Sequence, residues 1–314
     1  MRERIGKVML EDRSTDAGLA LREPNETESR LLALFSLETE ERALRELTER
    51  PTWPLLRHLS PLRQSLLSWV SLPVGSRVLE LGAECGAVTG AFLGRGLQVL
   101  STDVSPIRCR INALRHREAE GLTVLAAPPE EVLAEQRGKA DLVVWTEAPY
   151  LPRRDEAENA ALTPEDFSGL LSAVRQALSP KGALYLAMEN PLGLKYFAGR
   201  PEVESGRLFE SIEGAKPGAC GYTRQQLIRA AEENGFSWAF YYPYPDHFFP
   251  ERIYSDDWLP REGEMNRNWQ NFDADRVLVF DEEKAFNTVI RAGLFPEMCN
   301  AFLLRLSLKG GAEA

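Results

Sequence analysis

The stretch of this sequence that carries chemistry is an apolar run ending in a glycine-rich turn. Val78-Leu-Glu80-Leu-Gly82-Ala83-Glu84-Cys85-Gly86 reads as a short buried strand passing into a loop. A glycine at a strand's end lets the backbone turn tightly and approach a ligand with no Cβ in the way. Asp103 lies 17 residues after Gly86, at the tip of a second apolar run, Gln98-Val-Leu-Ser-Thr-Asp103. A carboxylate there can accept both hydroxyls of a ribose, and open α/β sheets bind ligands at the carboxyl ends of their strands, near the point where strand order reverses. The pieces specify a nucleoside-containing ligand.

The elements that position these residues alternate. Short apolar runs at Arg77–Leu81, Gln98–Asp103, Leu122–Ala126, Ala140–Thr146, Gly182–Met188, 237–242 and Asn300–Leu306 read as seven strands. Helical patterns lie between most of them. One follows the glycine turn to about Gly94, one starts at the Ser105-Pro106 cap and runs to Gly121, and a short one opens at Pro128-Pro129. Another carries the stripe Leu170, Leu171, Val174 and Leu178 behind a Thr163–Asp166 cap, and a further one runs from Thr223 to Asn234-Gly235. The expected fold is α/β: a Rossmann-like, seven-stranded, mostly parallel sheet with helices on both faces. Residues 1–75 read as a helical N-terminal segment with Leu31, Leu34 and Phe35, then Leu62, Leu66, Leu67 and Val70 at helical spacing. The division predicted is therefore 1–75 and 76–314, with an aromatic-rich insertion at about 243–299 acting as a substrate cap.

A dinucleotide fingerprint would be G-x-G-x-x-G, and its third glycine is missing, which disfavours a nicotinamide-dependent oxidoreductase. The form present, E-x-G-x-x-x-G followed by an acidic strand tip, resembles motif I of class I S-adenosylmethionine-dependent methyltransferases over residues 55–242 and the terminal strand. The resemblance implies S-adenosyl-L-methionine as cofactor, held at Glu80, Gly82, Ala83, Gly86, Asp103 and Val104. Glu80 would organise the loop through backbone contacts, Gly82 would lie against the cofactor, Gly86 would start the next helix and Asp103 would hold the ribose. Arg63 would pair in a forked manner with the methionine carboxylate. Two departures stand out: Glu84 occupies the usual place of a second glycine, and Ala126-Ala127-Pro128 lacks the acid often found near adenine. A narrower similarity, carried by His58-Leu-Ser-Pro61-x-Arg63, Glu189 to Gly199 and Tyr242-Pro-Tyr-Pro-Asp246, is to bacterial methyltransferases of glycan and polysaccharide biosynthesis. It implies a glycan-like or small hydroxylated acceptor, methylated on oxygen.

Methyl transfer from a sulfonium needs alignment first and proton removal second. Candidate bases at strand ends are His247 with Asp246, and Glu147. His247 has the best-matched ordinary pKa. Glu189, Asn190, Tyr150 and Tyr242 are candidate acceptor contacts. Lys195, Arg200 and Arg207 read as a surface loop, His58 as a structural hydrogen-bonder and His116 as part of a solvated helix face.

Composition narrows the partners. The 314 residues carry 37 Lys and Arg against 47 Asp and Glu, a net charge of −10 that weighs against nucleic acid and anionic membranes. Ala148-Pro149-Tyr150 only faintly resembles the motif of amino-methylating enzymes, because its first residue cannot hydrogen-bond an amino group. No apolar run approaches the ~20 residues of a membrane span, and the N-terminus lacks a signal peptide's apolar core, so the expected location is the cytoplasm. The scattered 4 Cys and 3 His predict no metal site. The reading from another class is a non-catalytic module that binds S-adenosylmethionine without turning it over.

Overall fold

The computed structural model describes residues 1–14, 23–37, 45, 48–49, 52–146, 163–202, 206–214, 221–265 and 279–310. It is a mixed α/β fold. The strands are β1 (Arg2–Ile5), β2 (Val8–Asp12), β3 (Arg77–Leu81), β4 (Gln98–Asp103), β5 (Leu122–Ala126), β6 (Ala140–Trp145), β7 (Leu178–Glu189), β8 (Phe236–Tyr244), β9 (Arg252–Ser255) and β10 (Ala301–Leu308). They hydrogen-bond in the order β1-β2-β5-β4-β3-β6-β7-β10-β8-β9, so the sheet has ten strands and not the seven expected. The chain divides into two compact units, Met1–Thr146 with Ala173–Leu184, and Glu147–Ser172 with Tyr185–Ala314.

In the first unit β3, β4, β5 and β6 are parallel and nearly continuous in apolar residues, as strands covered on both faces must be. Val78 of β3 lies opposite Val99 of β4 on one side and Leu142 of β6 on the other. The chain winds outward from β3 through β4 to β5, then returns to place β6 on the other side of β3. That reversal is the topological switch point of a doubly wound sheet, and the glycine turn leaves β3 there. The helices are α1 (Glu26–Leu37), α2 (Trp53–Leu59), α3 (Pro106–Arg115) and α4 (Pro129–Glu135), with a 3-10 helix at Pro61–Leu66. Leu31, Leu34 and Phe35 of α1, Leu55 and Leu59 of α2, Ile111 of α3 and Cys85 of the turn form one buried cluster.

Two expectations are corrected in this unit. Residues 2–12, read as part of a helical segment, form an antiparallel hairpin whose β2 adds to β5 in parallel, with Met9 opposite Thr123. The strands RERI and VMLED are too short and polar to show a period, so their state is set by a partner more than a hundred residues away. No α-helix follows Gly86 either: only a 3-10 turn forms, at Thr89–Phe92. Gly86, Gly90, Gly94 and Gly96 crowd this stretch, and three of them, Gly86, Gly94 and Gly96, have positive φ. Each interior glycine costs a helix about 1 kcal/mol.

In the second unit β8 is antiparallel to β10, with Tyr241 opposite Leu303, and to β9, with Tyr242 opposite Tyr254. The helix α5 (Pro164–Ala177) spans the division in sequence, and α6 (Leu194–Phe197), α7 (Arg224–Glu233), α8 (Glu282–Arg291) and α9 (Phe295–Met298) follow. Thr223 and Gln226 close a reciprocal capping box on α7. Much of the aromatic insertion is core rather than exposed surface. Tyr242 meets Phe295 and Phe302 edge-on, and Tyr244 meets Phe286 the same way.

Candidate functional site

The backbone after β3 is left-handed at three alternate residues, with φ of 62° at Gly82, 49° at Glu84 and 77° at Gly86. Two glycines make this conformation cheap. Gly86 has a second reason to be glycine, since a Cβ there would lie 2.2 Å from Asn112 Oδ1. The turn is tied down at both ends: Ala83 N–H donates to the Thr102 carbonyl (2.9 Å), and His116 Nε2 lies 2.9 Å from the Gly86 carbonyl. His116 is thus buried against the loop and not on the solvated face expected. Asn112 of α3 and His116, the residue that caps its C-terminus, stand four apart, a spacing that puts both on one side of the helix.

Beneath the turn lies a polar knot. Glu80 is 1% exposed, and its Oε2 accepts from Thr89 Oγ1 (2.6 Å) and Ser101 Oγ (2.9 Å). Asn112 Nδ2 donates to Ser101 Oγ (2.8 Å) and Thr89 Oγ1 (3.3 Å). Glu80 therefore supports the loop through hydroxyls, where backbone contacts were implied. Its Oε1 is buried with no hydrogen-bond partner, and burial pushes its pKa up to about 7. Arg63, which the resemblance would pair with the methionine carboxylate, is buried in the 3-10 helix, and its charge acts on Glu80 to oppose that rise.

Asp103 closes the loop from β4. Its Oδ2 accepts the Glu84 N–H (3.0 Å) and its Oδ1 the Ser105 N–H (2.9 Å). Each oxygen keeps a second lone pair for another donor. Burial raises the Asp103 pKa, with Arg108 opposing. Val104 follows at the strand tip, half-buried, and Ala83 is buried in the turn.

Glu84 turns its side chain to α2. Arg57 donates from Nη2 to Oε1 (2.8 Å) and from Nε to Oε2 (3.3 Å), and His58 Nδ1 lies 3.9 Å from Oε2. Burial works against the charged carboxylate, but Arg57, His58 and Arg108 together hold it well below the usual carboxylate range. Burial also pushes the His58 pKa down to about 4, so this imidazole is neutral at neutral pH.

The second unit gathers a different set. Glu189, at the end of β7, takes an ion pair from Lys195, a hydrogen bond from Tyr196 OH (2.5 Å) and a 3.4 Å contact from Arg200 Nη1. Lys195 and Arg200 are thereby buried and not on the surface loop expected. The missed signal was Glu189 itself, since a carboxylate at an apolar strand's end needs buried cations. Burial opposes the charged Glu189, but Lys195, Arg200 and His247 hold its pKa well below the ordinary range. His247 is 2% exposed and tilts against Phe248, with ring centroids 4.2 Å apart.

Other candidates are committed to the framework. Asn190 donates to the carbonyls of Glu297 (2.9 Å) and Cys299 (2.7 Å) and accepts from Leu192 N–H (3.0 Å). Asp246 Oδ1 accepts from the Phe248 and Phe249 amides (2.8 and 3.3 Å). Tyr242 donates its hydroxyl to Asp256 and accepts from Arg224 Nε (3.3 Å). Sequence reading missed Asn300, whose side chain joins Lys195 N–H (3.1 Å) to the Pro245 carbonyl (3.1 Å). Glu147 and Tyr150 lie outside the described residues. Among those described, no group of three His, Cys, Asp or Glu could hold a metal ion, and no helix is long and apolar enough to cross a membrane.

No family model matches this chain, and no curated protein matches it. Solved structures that it resembles include S-adenosylmethionine-dependent methyltransferases. One from Archaeoglobus fulgidus shares 15% identity at a TM-score of 0.47, covering 84% of this chain and 97% of that one. A TehB-like enzyme from Corynebacterium glutamicum shares 13% at 0.41, covering 86% and 96%. Phosphoethanolamine N-methyltransferase 2 of Haemonchus contortus, seen in complex with S-adenosyl-L-methionine, shares 14% at 0.44, covering 91% and 60%.

Proposed function

We propose that this chain is an S-adenosylmethionine-dependent methyltransferase acting on a small hydroxylated or glycan-like acceptor. The observation that carries the reading is the left-handed turn Gly82–Gly86, delivered by β3 at the switch point and joined to Asp103 through the Glu84 amide. The residues fit the group. The turn is left-handed at Gly82, where a glycine adds no Cβ, Asp103 retains lone pairs for a ribose diol, and Glu80 keeps one unpartnered oxygen beside the loop. In this reading Gly82, Ala83, Gly86, Asp103 and Val104 hold the cofactor, and Glu80 supports them from beneath. The bound group supplies an electrophilic methyl on a sulfonium, so the chain's own task is alignment.

His247 is the base we assign for the acceptor's proton, supported by its burial in the second unit and by its charge acting on Glu189. Asn190 and Tyr242 then act by holding the framework through their side-chain hydrogen bonds, and Asp246 does so through Oδ1. The acidic balance of the whole chain favours small acceptors over nucleic acid.

Calorimetry with S-adenosylhomocysteine tests the reading. The wild type is expected to bind, and Asp103→Ala and Gly82→Val to lose binding. Absence of wild-type binding, or unchanged binding by both variants, overturns it. Tight binding of NADH instead would point to the oxidoreductase. Ligand binding with no methyl transfer to any acceptor class would point to the non-catalytic module.

A further inference from the structure

We infer that Arg57 is a positioning residue for the cofactor loop: by fastening Glu84 it keeps that residue left-handed and its N–H on Asp103. The inference rests on the proposed use of this loop to bind S-adenosylmethionine, and it names what sets the loop's shape. Glu84 and Phe209 are the only non-glycine residues with positive φ among those described. A side chain in that conformation is strained, and the strain persists only where surroundings over-determine it. Gly82 and Gly86 on either side need no such help. Glu84 has it from two directions.

The forked guanidinium of Arg57 holds both carboxylate oxygens, at 2.8 and 3.3 Å. On the next residue, Cys85 is buried in the cluster that contains Leu55 and Leu59 of the same helix. Consecutive loop residues are therefore gripped by opposite characters of α2, one by charge and one by apolar packing. The helix is itself anchored, because Arg115 Nη1 of α3 donates to the His58 carbonyl (2.5 Å). The grip reaches the ribose acid by one short route. The Glu84 carboxylate fixes the backbone, and the backbone N–H fixes Asp103 Oδ2 at 3.0 Å. A glycine at position 84 would adopt the same φ unaided and make Arg57 dispensable.

That equivalence gives the test. S-adenosylhomocysteine affinity and amide hydrogen exchange across residues 82–86 of the ligand-free protein are measured for wild type, Arg57→Ala, Glu84→Gly and the double variant. Arg57→Ala is expected to weaken binding about tenfold and to speed exchange of the Glu84 amide by a similar factor. In the Glu84→Gly background the same change should alter each by less than about twofold. Arg57→Met keeps the stem's packing and should behave as Arg57→Ala does, which covers a variant that folds poorly. Equal effects of Arg57→Ala in both backgrounds, or none in either, overturn the inference. If the wild type fails to bind S-adenosylhomocysteine the methyltransferase reading falls, while the exchange measurement still decides the role of Arg57.

Discussion

Glu80→Gln should make this protein more stable, and only above a defined pH. The Glu80 carboxyl is 1% exposed, it accepts two hydroxyl hydrogen bonds on one oxygen, and burial raises its pKa from 4.5 to about 7. A folded-state pKa above the unfolded value means that the native state binds the proton more tightly. Below about pH 4.5 both states are protonated and Glu80 adds no pH dependence. Between about 4.5 and 7 the unfolded chain has released the proton and the native state has not, so stability falls as pH rises. The rise from 4.5 to about 7 corresponds to about 3 kcal/mol, lost in full above pH 7. Glutamine keeps an oxygen for Thr89 and Ser101 and carries no charge at any pH. The difference in unfolding free energy between variant and wild type, from urea titrations at pH 4.5, 6 and 8, should therefore grow toward about 3 kcal/mol in the variant's favour. Glu84 and His58 titrate in both proteins and cancel in that difference, while Asp103, whose charge helps to raise the Glu80 pKa, contributes part of it. A difference constant within about 0.5 kcal/mol across the range would refute the reasoning and place an ionised Glu80 in a well-solvated site. The cost of keeping this carboxylate is what a functional role would explain.

Gly86→Ala forces a Cβ to within 2.2 Å of Asn112 Oδ1 at a φ of 77°, and chemical denaturation should show a loss of about 2–4 kcal/mol. A loss below about 0.5 kcal/mol would mean that the turn relaxes freely. Glu189→Gln leaves Lys195 and Arg200 buried without their carboxylate, which should cost about 3–5 kcal/mol in a urea titration at pH 7, and a wild-type midpoint would contradict the ion-pair account. Asn300→Ala orphans the buried Lys195 N–H and removes a donor from the Pro245 carbonyl, so about 2–4 kcal/mol should be lost, with faster amide exchange at Lys195 as the local readout.

The central strands and the glycine turn were legible because their causes are local. Val78–Leu81 and Ala140–Trp145 are continuous in apolar residues, a pattern that a strand buried on both faces must show. The turn was legible because glycines at 82 and 86 relieve a steric demand on single residues. The helix expected after Gly86 failed for the same local reason, a glycine crowd whose weight the apolar pattern concealed. Short edge strands were a different case: Arg2–Ile5 and Val8–Asp12 exist through pairing with each other and with β5, and nothing within 12 residues announces it.

By itself, then, the sequence determined that a parallel α/β core would carry a Gly82–Gly86 turn at one strand's end and the Asp103 acid at the tip of the next, because strand burial and left-handed backbone depend on neighbours along the chain. Only the tertiary structure decided how charge is arranged around those residues. It set Arg57 on Glu84, Asn112 and two hydroxyls on the Glu80 knot, and Lys195 and Arg200 inward on Glu189. Side chains of these types read as surface when taken singly. They are buried here because each meets a partner brought from elsewhere in the chain, and a charge leaves water only when such a partner is waiting.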